Sequence, residues 1–386
     1  MRDESNDTGR LLLGCLLYTA GSAILYVSPA YLADLGARFG IDEARMGALS
    51  AAENIGIGLA SFFAMWWNGR VGYREAAMFG VLACLAGDAI SFVSHNFAVL
   101  LLARFATGLL GEGTLFVLAF LVLASVRNPD RALGFALTAV VLFGSLVLGA
   151  ASFLNGIPGG TAMLLPLAAI ALAVLPVLRW MPVATALAAE AADRQSAPAT
   201  DGWRALLAVI AMAVWFGAPG GFWTFADAAA ASRQVSPGDI DTALAIGNAV
   251  GLLGSALAAW QGNRWGRGVP ILAGTIGLCL SVAAFHRSVE VVALAATLAA
   301  FNIFWNYATV YQMALVVALD RTGRATAAIS AAQVLGFAAG GFLSGFAIVS
   351  AGYSALTAVV AVFAVAGVFL LALCFRACAR VIAEAE

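Results

Sequence analysis

The sequence predicts an all-helical integral membrane protein, with twelve transmembrane helices forming two pseudo-symmetric six-helix bundles. Three observations lead there. Hydrophobic residues fill 62% of the 386 positions and charged residues only 11%, with a mean hydropathy of +0.95, a balance foreign to soluble domains. The apolar stretches are continuous and approach or exceed the roughly 20 residues that a helix needs to cross the hydrocarbon layer. The arginines also crowd into alternate loops, as the positive-inside bias requires.

Breaks at polar and Gly/Pro clusters place the spans near 11–34, 46–67, 76–94, 97–125, 132–155, 161–181, 204–228, 240–261, 269–285, 290–318, 325–350 and 352–375. The first follows a polar segment, Met1 to Arg10. It is longer than a signal-peptide core, so it is expected to remain as an uncleaved span with a cytoplasmic N-terminus. The strand reading fails because an outer-membrane barrel alternates apolar and polar residues over short segments. With the N-terminus inside, Arg70, Arg74, Arg127, Arg131, Arg264, Arg267, Arg321 and Arg324 all fall on the cytoplasmic side. Only Arg38, Arg45, Arg233 and Arg287 fall outside, and Arg104 lies within a span. The one long polar stretch, Val183 to Gly202, reads as a linker. The expected domains are therefore a bundle over 1–182, a cytoplasmic linker over 183–202 and a second bundle over 203–386.

Composition also excludes chemistry. The sequence contains no lysine, so neither a GxxxxGK[ST] phosphate loop nor a lysine Schiff base is available. Its two histidines, His95 and His286, fall in separate polar breaks and do not read as metal or haem ligands. The five cysteines, Cys15, Cys84, Cys279, Cys374 and Cys378, form no CxxC pair and read as small packing residues. The net charge of −1 and the lack of a long basic run give no footing for nucleic acid. No cofactor, metal, nucleotide or nucleic-acid partner is expected, and no enzymatic activity. The expected partners are the lipid bilayer, a small solute and protons.

The halves align at an offset of 194 positions. Asn54, Ser61, Ala64, Trp66, Arg70 and Gly72 meet Asn248, Ser255, Ala258, Trp260, Arg264 and Gly266. Arg127 meets Arg321 and, with one residue of slip, Ala33-Asp34 meets Ala226-Asp227. A parallel repeat of this kind is expected of many transporters.

The loop after span two reads Gly69-Arg70-Val71-Gly72-Tyr73-Arg74, and its repeat partner reads Asn263-Arg264-Trp265-Gly266-Arg267. Span four carries Arg104-Phe105-Ala106-Thr107-Gly108-Leu109-Leu110-Gly111. With twelve spans, these segments resemble the major facilitator superfamily over the whole chain. The resemblance implies that Arg70, Gly72, Arg74, Asn263, Arg264, Gly266 and Arg267 belong to cytoplasmic loops that switch conformation. Gly69 and Asn263 stand where the family's signature has Asp, a departure that removes an acid from both loops. Span five has Gly144 and Gly149 but lacks the Gly-Pro step of the family's antiporter signature, which weakens a drug-efflux reading. Gly336, Gly340, Gly341 and Gly345 on span eleven fit close helix packing in lipid.

Charged groups at bilayer depth are costly and face a cavity or a partner, which singles out five acids and Arg104. Asp34 and Asp227 are expected at outer helix ends, satisfied by water and caps. Asp88 is read as a polar contact to a neighbouring helix. The resemblance implies that spans one, four, seven and ten line the cavity, which makes Glu112 the first proton-coupling candidate and Glu53 its rival. Arg104 has two readings: a two-point fork for an anionic solute, or a bond to backbone or acids of adjacent helices. Asn302, Trp305, Asn306 and Thr309 share a face of span ten, and Tyr26 and Trp223 lie on spans one and seven; all six are solute-binding candidates beside Arg104.

These features point to a secondary active transporter of a small organic solute, a proton-coupled symporter or antiporter working by alternating access in a bacterial inner membrane. A passive facilitator is the nearest alternative. A membrane solute sensor is the alternative from another class, and it would be expected to carry a long soluble domain.

Overall fold

The computed structural model describes residues 2–67, 70–155, 162–182, 202–320 and 324–383, and every regular element among them is helical. The first half contains α1 (Arg2–Phe39), α2 (Glu43–Trp67), α3 (Tyr73–Val93), α4 (Phe97–Ala106), a π-helical turn (Thr107–Glu112), α5 (Gly113–Ala124), α6 (Pro129–Gly149), α7 (Ala151–Asn155) and α8 (Leu164–Val174), which tightens into a 3-10 helix (Leu175–Trp180). The second half contains α9 (Gly202–Trp223), α10 (Ala226–Ala231), α11 (Pro237–Val250), α12 (Leu252–Gln261), α13 (Gly268–Phe285), α14 (Val291–Leu319), α15 (Arg324–Ala327), α16 (Ile329–Ala351) and α17 (Ala355–Ala383).

The protein is a multi-span, all-helical membrane protein, and among the described residues ten helices are long and apolar enough to cross a membrane. They occupy the places predicted for every span except the second and sixth. At the second, α2 is 25 residues long, but Glu53 and Asn54 interrupt its apolar character. At the sixth, Leu164–Trp180 is a shorter apolar helix, and Pro176 stands where α-helix gives way to 3-10 turns. The count of ten thus differs from the expected twelve for reasons local to two elements. The predicted linker lies outside the described residues up to Gly202, where α9 begins; Gly69 and Arg321 lie outside them too.

The chain divides into two compact units, Met1–Ile41 with Ala48–Asp193 and Asp42–Gly47 with Arg194–Glu386. In the first, α1 packs on α5, α6 and α8, while α3 packs on α4 and the π turn. In the second, α9 lies along α16 and α17, and α14 contacts α11, α12 and α13. Lipid tails are as apolar as the side chains, so close backbone approach replaces the hydrophobic drive of water. Gly340 illustrates this: a Cβ there would meet the Gly217 carbonyl and the Gly221 amide of α9.

The repeat reappears at matching helix ends in the two units. Arg38, at the end of α1, donates to the carbonyls of Ser91 (3.1 Å) and Ser94 (3.0 Å) at the end of α3. Arg233, after α10, donates to the carbonyls of Phe285 and Ser288 (the latter 2.9 Å) at the end of α13, with its guanidinium 4.3 Å from the Phe285 ring. Each arginine supplies donors to carbonyls that a helix C-terminus leaves unpaired, and its charge opposes the negative end of the helix dipole. Burial, and then Arg233, pushes the neighbouring His286 imidazole below its usual range.

Gly340→Leu should force backbone apart where α9 meets α16, at a cost of ~1–3 kcal/mol or more. Thermal unfolding of the purified protein in detergent is expected to show a clear fall in midpoint. Gly238→Ala, where an added Cβ meets nothing within 4 Å, should leave it unchanged or slightly raised.

Candidate functional site

Glycines set the spacing of the first unit's buried site. A Cβ at Gly108 would strike the Glu53 backbone of α2, and one at Gly111 would strike Cys84 of α3. With the π turn this close to both helices, acids on α2 and α3 reach the side chain of Arg104. The guanidinium is fully buried, and each of its nitrogens is engaged. Nε donates to Glu53 Oε1 at 2.9 Å, Nη2 donates to the same oxygen, and Nη1 donates to Asp88 Oδ1 at 2.6 Å. Glu112 Oε1 lies 3.6 Å from Nη2 as a third ion pair. From α1, the Tyr31 hydroxyl donates to Glu53 Oε2 at 3.2 Å, and the Tyr31 ring stands 5.7 Å from the guanidinium carbon.

The π turn explains how Glu112 joins this group. In a continuous α-helix, eight residues turn through about 800°, leaving Glu112 about 80° away from the Arg104 face. A π turn closes on i→i+5 hydrogen bonds and absorbs one extra residue. Here the Gly113 amide donates to the Gly108 carbonyl, so the eight residues turn as about seven, roughly 700°, within about 20° of two full turns. The distortion therefore swings Glu112 onto the arginine's face. Its Oε2 atom is buried and has no hydrogen-bond partner.

Both proton-coupling candidates, Glu53 and Glu112, thus meet in one cluster. For Arg104 the geometry shows bonds to acids of adjacent helices, leaving no guanidinium nitrogen without an acid partner to form a solute fork. Asp88 makes its expected polar contact, and that contact is Arg104 itself. Asp34 departs from expectation: α1 continues to Phe39, so Asp34 is buried within the helix, and its Oδ2 lacks a partner. The hydroxyl contact of Tyr31 and the π turn have no marker in the sequence; the paired glycines Gly108 and Gly111 are the only local signal.

The solute-binding candidates of the second unit also converge. Trp223 stacks on Phe301 at 6.1 Å and lies 6.5 Å from Trp305, which in turn stacks on Phe337 at 6.1 Å. Asn302, Asn306 and Thr309 each donate to a carbonyl one turn earlier on α14, those of Leu298, Asn302 and Trp305, at 3.0, 2.9 and 2.8 Å. Trp305, Asn306 and Thr309 are half-buried, whereas Asn302 and Trp223 are buried. Tyr26 is half-buried on α1 of the first unit. The loop residues Arg70, Gly72, Arg74, Asn263 and Arg264 are exposed, and Gly266 and Arg267 are half-exposed. Gly266 has φ +62°, a left-handed conformation that favours glycine there. Among the described residues, no group of three His, Cys, Asp or Glu could hold a metal ion.

Arg104→Ala would strand three acids without their counter-charge, and breaking a buried ion pair in this way costs about 3–5 kcal/mol. The variant should lose most of its folded yield and thermal stability. Adding Glu53→Gln and Asp88→Asn should restore part of the stability; comparing the unfolding midpoint of this triple variant with those of Arg104→Ala and of the Glu53→Gln, Asp88→Asn pair measures the coupling.

No curated protein matches the sequence. Among solved structures, the fold is similar to the xylose transporter XylE from E. coli in a partially occluded inward-open conformation. The TM-score is 0.72 at 15% sequence identity, over 95% of this chain and 96% of that one. The family model of the Major Facilitator Superfamily matches residues 11–230, more than half of the chain. With that match, the chain belongs to the major facilitator superfamily.

Proposed function

We propose that this protein is a proton-coupled secondary transporter of a small organic solute working by alternating access, in which a solute site opens to one side of the membrane and then to the other. The proposed architecture is twelve spans, with units 1–182 and 203–386 joined by a cytoplasmic linker, in a bacterial inner membrane with both termini inside. Family membership supports the transport reading, and the internal repeat supports alternating access.

One observation carries the coupling: three carboxyls share one buried guanidinium in the first unit. Arginine keeps its proton in proteins, so the group is neutral overall only when two of the three carboxyls hold protons. Gain or loss of a proton there changes the charge of the unit by one whole unit. Glu112 is assigned as the carrier, because it has the weakest hold on Arg104 and an unpartnered oxygen. Arg104 acts as the fixed counter-charge. Glu53, bound by three donors, is the rival carrier.

The aromatic group around Trp223 and Trp305, with Asn306 and Thr309 on the same helix as Trp305, is proposed to receive a solute having both an apolar face and polar groups. Sugars meet this description, since their C–H faces stack on indole rings while their hydroxyls bond amides. Xylose, the solute named for the similar structure, belongs in the first screen beside aromatic organic solutes. The exposed loops around Arg70 and Arg264 are proposed to remake their contacts as the units reorient.

The carrier assignment is tested by Glu112→Gln, which preserves size and polarity but removes titration. In proteoliposomes with an imposed proton gradient, the variant should lose accumulation against the solute gradient while retaining solute exchange. Accumulation with unchanged pH dependence removes Glu112 from the role and moves attention to Glu53→Gln, measured in parallel. If neither substitution affects concentrative transport, the coupling reading falls; if wild type only equilibrates solute, the protein is a facilitator.

The orientation is tested in a variant whose five native cysteines have been replaced. A membrane-impermeant maleimide applied to intact cells should label Ser236→Cys and should reach Arg264→Cys only after permeabilisation. Labelling of both from outside overturns the proposed topology.

A further inference from the structure

Of the three acids, Glu112 and Glu53 are the candidates for the mobile proton, and assigning it to Glu112 requires something that keeps it off Glu53. Both side chains are buried, and both face Arg104. Their hydrogen bonding differs sharply. Glu53 accepts from Arg104 Nε and Nη2 on one oxygen and from Tyr31 on the other. Asp88 accepts from Nη1 alone, while Glu112 has an ion contact with Nη2 at 3.6 Å, the Glu53 carboxyl beside it and a second oxygen without a hydrogen-bond partner. The groups facing the cluster come from four neighbouring elements: Tyr31 on α1, Glu53 on α2, Asp88 and the Cys84 thiol on α3, and Arg104 and Glu112 on α4 and its π turn.

A donor aimed at a carboxylate favours the ionised form, because the protonated acid gives up an acceptor site. Arg104 favours Glu53 with two of its three nitrogens, but its charge is shared with Asp88 and Glu112. The Tyr31 hydroxyl contacts Glu53 Oε2 specifically, and it approaches from α1, a different helix from those bearing the acids. We propose that Tyr31 is a positioning residue that assigns the proton to Glu112 by holding Glu53 as the permanent anion of Arg104. Tyr31 stands two residues after Pro29, whose missing amide weakens the helix hydrogen bonding locally. A change in the bend of α1 would carry the hydroxyl away from Glu53 and open a second place for the proton. Solute binding against α1 would thereby reach the proton site without touching an acid.

This inference rests on the proposed carrier role of Glu112, and the test separates the two. Infrared difference spectra of the full chain in lipid nanodiscs, recorded between acid and alkaline buffer, report the carbonyl stretch of protonated carboxyls. In wild type the band should vanish with Glu112→Gln and persist with Glu53→Gln. If Glu112→Gln leaves it intact, the carrier assignment fails, and this inference with it. In a Tyr31→Phe background the dependence should change, with a band that survives Glu112→Gln and disappears with Glu53→Gln. Tyr31→Phe combined with Glu112→Gln should also regain proton-driven accumulation, by about tenfold or more over Glu112→Gln alone. A Tyr31→Phe band still abolished by Glu112→Gln overturns the role of Tyr31 while leaving the carrier in place. Should Tyr31→Phe fold poorly, 3-fluorotyrosine at residue 31 gives a second measurement. Its fluorine resonance should shift with Glu53→Gln and stay fixed with Glu112→Gln, and the reverse pattern, or no shift with either, rejects the proposal.

Discussion

A guanidinium keeps its proton in a protein, so once α4 carries Arg104 to bilayer depth its charge must be met on the spot. Much of the first unit can be understood as the answer to that demand. Acids come from α2, α3 and the end of the π turn, and glycines at 108 and 111 let the helices bearing them stand close enough. The helix itself gives up regular geometry over Thr107–Glu112 so that a third carboxyl reaches the same face. Supplying three acids where one would balance the charge is a poor way to build stability, because each ionised carboxyl in excess costs desolvation without full compensation. It is a reasonable way to build a site that exchanges protons.

The second unit answers the same backbone positions differently. At the 194-residue offset, Glu53 corresponds to Gly247, Arg104 to Leu298 and Glu112 to Asn306. The first two still touch: a Cβ at Gly247 would meet Leu298, just as the side chains of Glu53 and Arg104 meet in the first unit. The pairing of helices is thus retained while its chemistry changes from ionic to apolar. What the second unit adds is aromatic surface from α9, α14 and α16 around Trp305. The proposed division follows, with proton handling in one unit and solute contact weighted toward the other.

Helix positions were legible in the sequence because lipid enforces a simple rule: length and apolarity decide where the chain crosses. The rule falters at α2 and Leu164–Trp180, where buried polar residues and proline dilute the signal. Individual candidates such as Glu53, Glu112 and Arg104 could be named because an ionisable residue inside a span stands out against its surroundings. A bond from Arg104 to acids of adjacent helices was one of its two readings, but the approach of Glu112 was not legible. It depends on a π turn that no residue pattern announces, and eight-residue spacing on an ideal helix points Glu112 away from Arg104. Tyr31 stands out in the sequence only as one of several aromatic residues near Pro29; that its hydroxyl reaches Glu53 does not follow from it. The clamps made by Arg38 and Arg233 leave no residue pattern in the sequence, because their partners are backbone carbonyls of another helix.

The composition of the Arg104 cluster also constrains how such a protein can change over generations. An arginine introduced at position 298 of the second unit would face Gly247 with no anion, and an acid introduced at 247 would face Leu298 with no cation. Either first step is harmful by itself, so the paired state is separated from the apolar one by intermediates that selection removes. The same barrier guards the reverse route, since losing Arg104 before its acids, or the acids before Arg104, leaves a charge unmatched. Duplicated halves can therefore drift freely in loops and lipid-facing residues while remaining locked into different interiors, and the ionic half is held by mutual dependence among its members as much as by the work it performs.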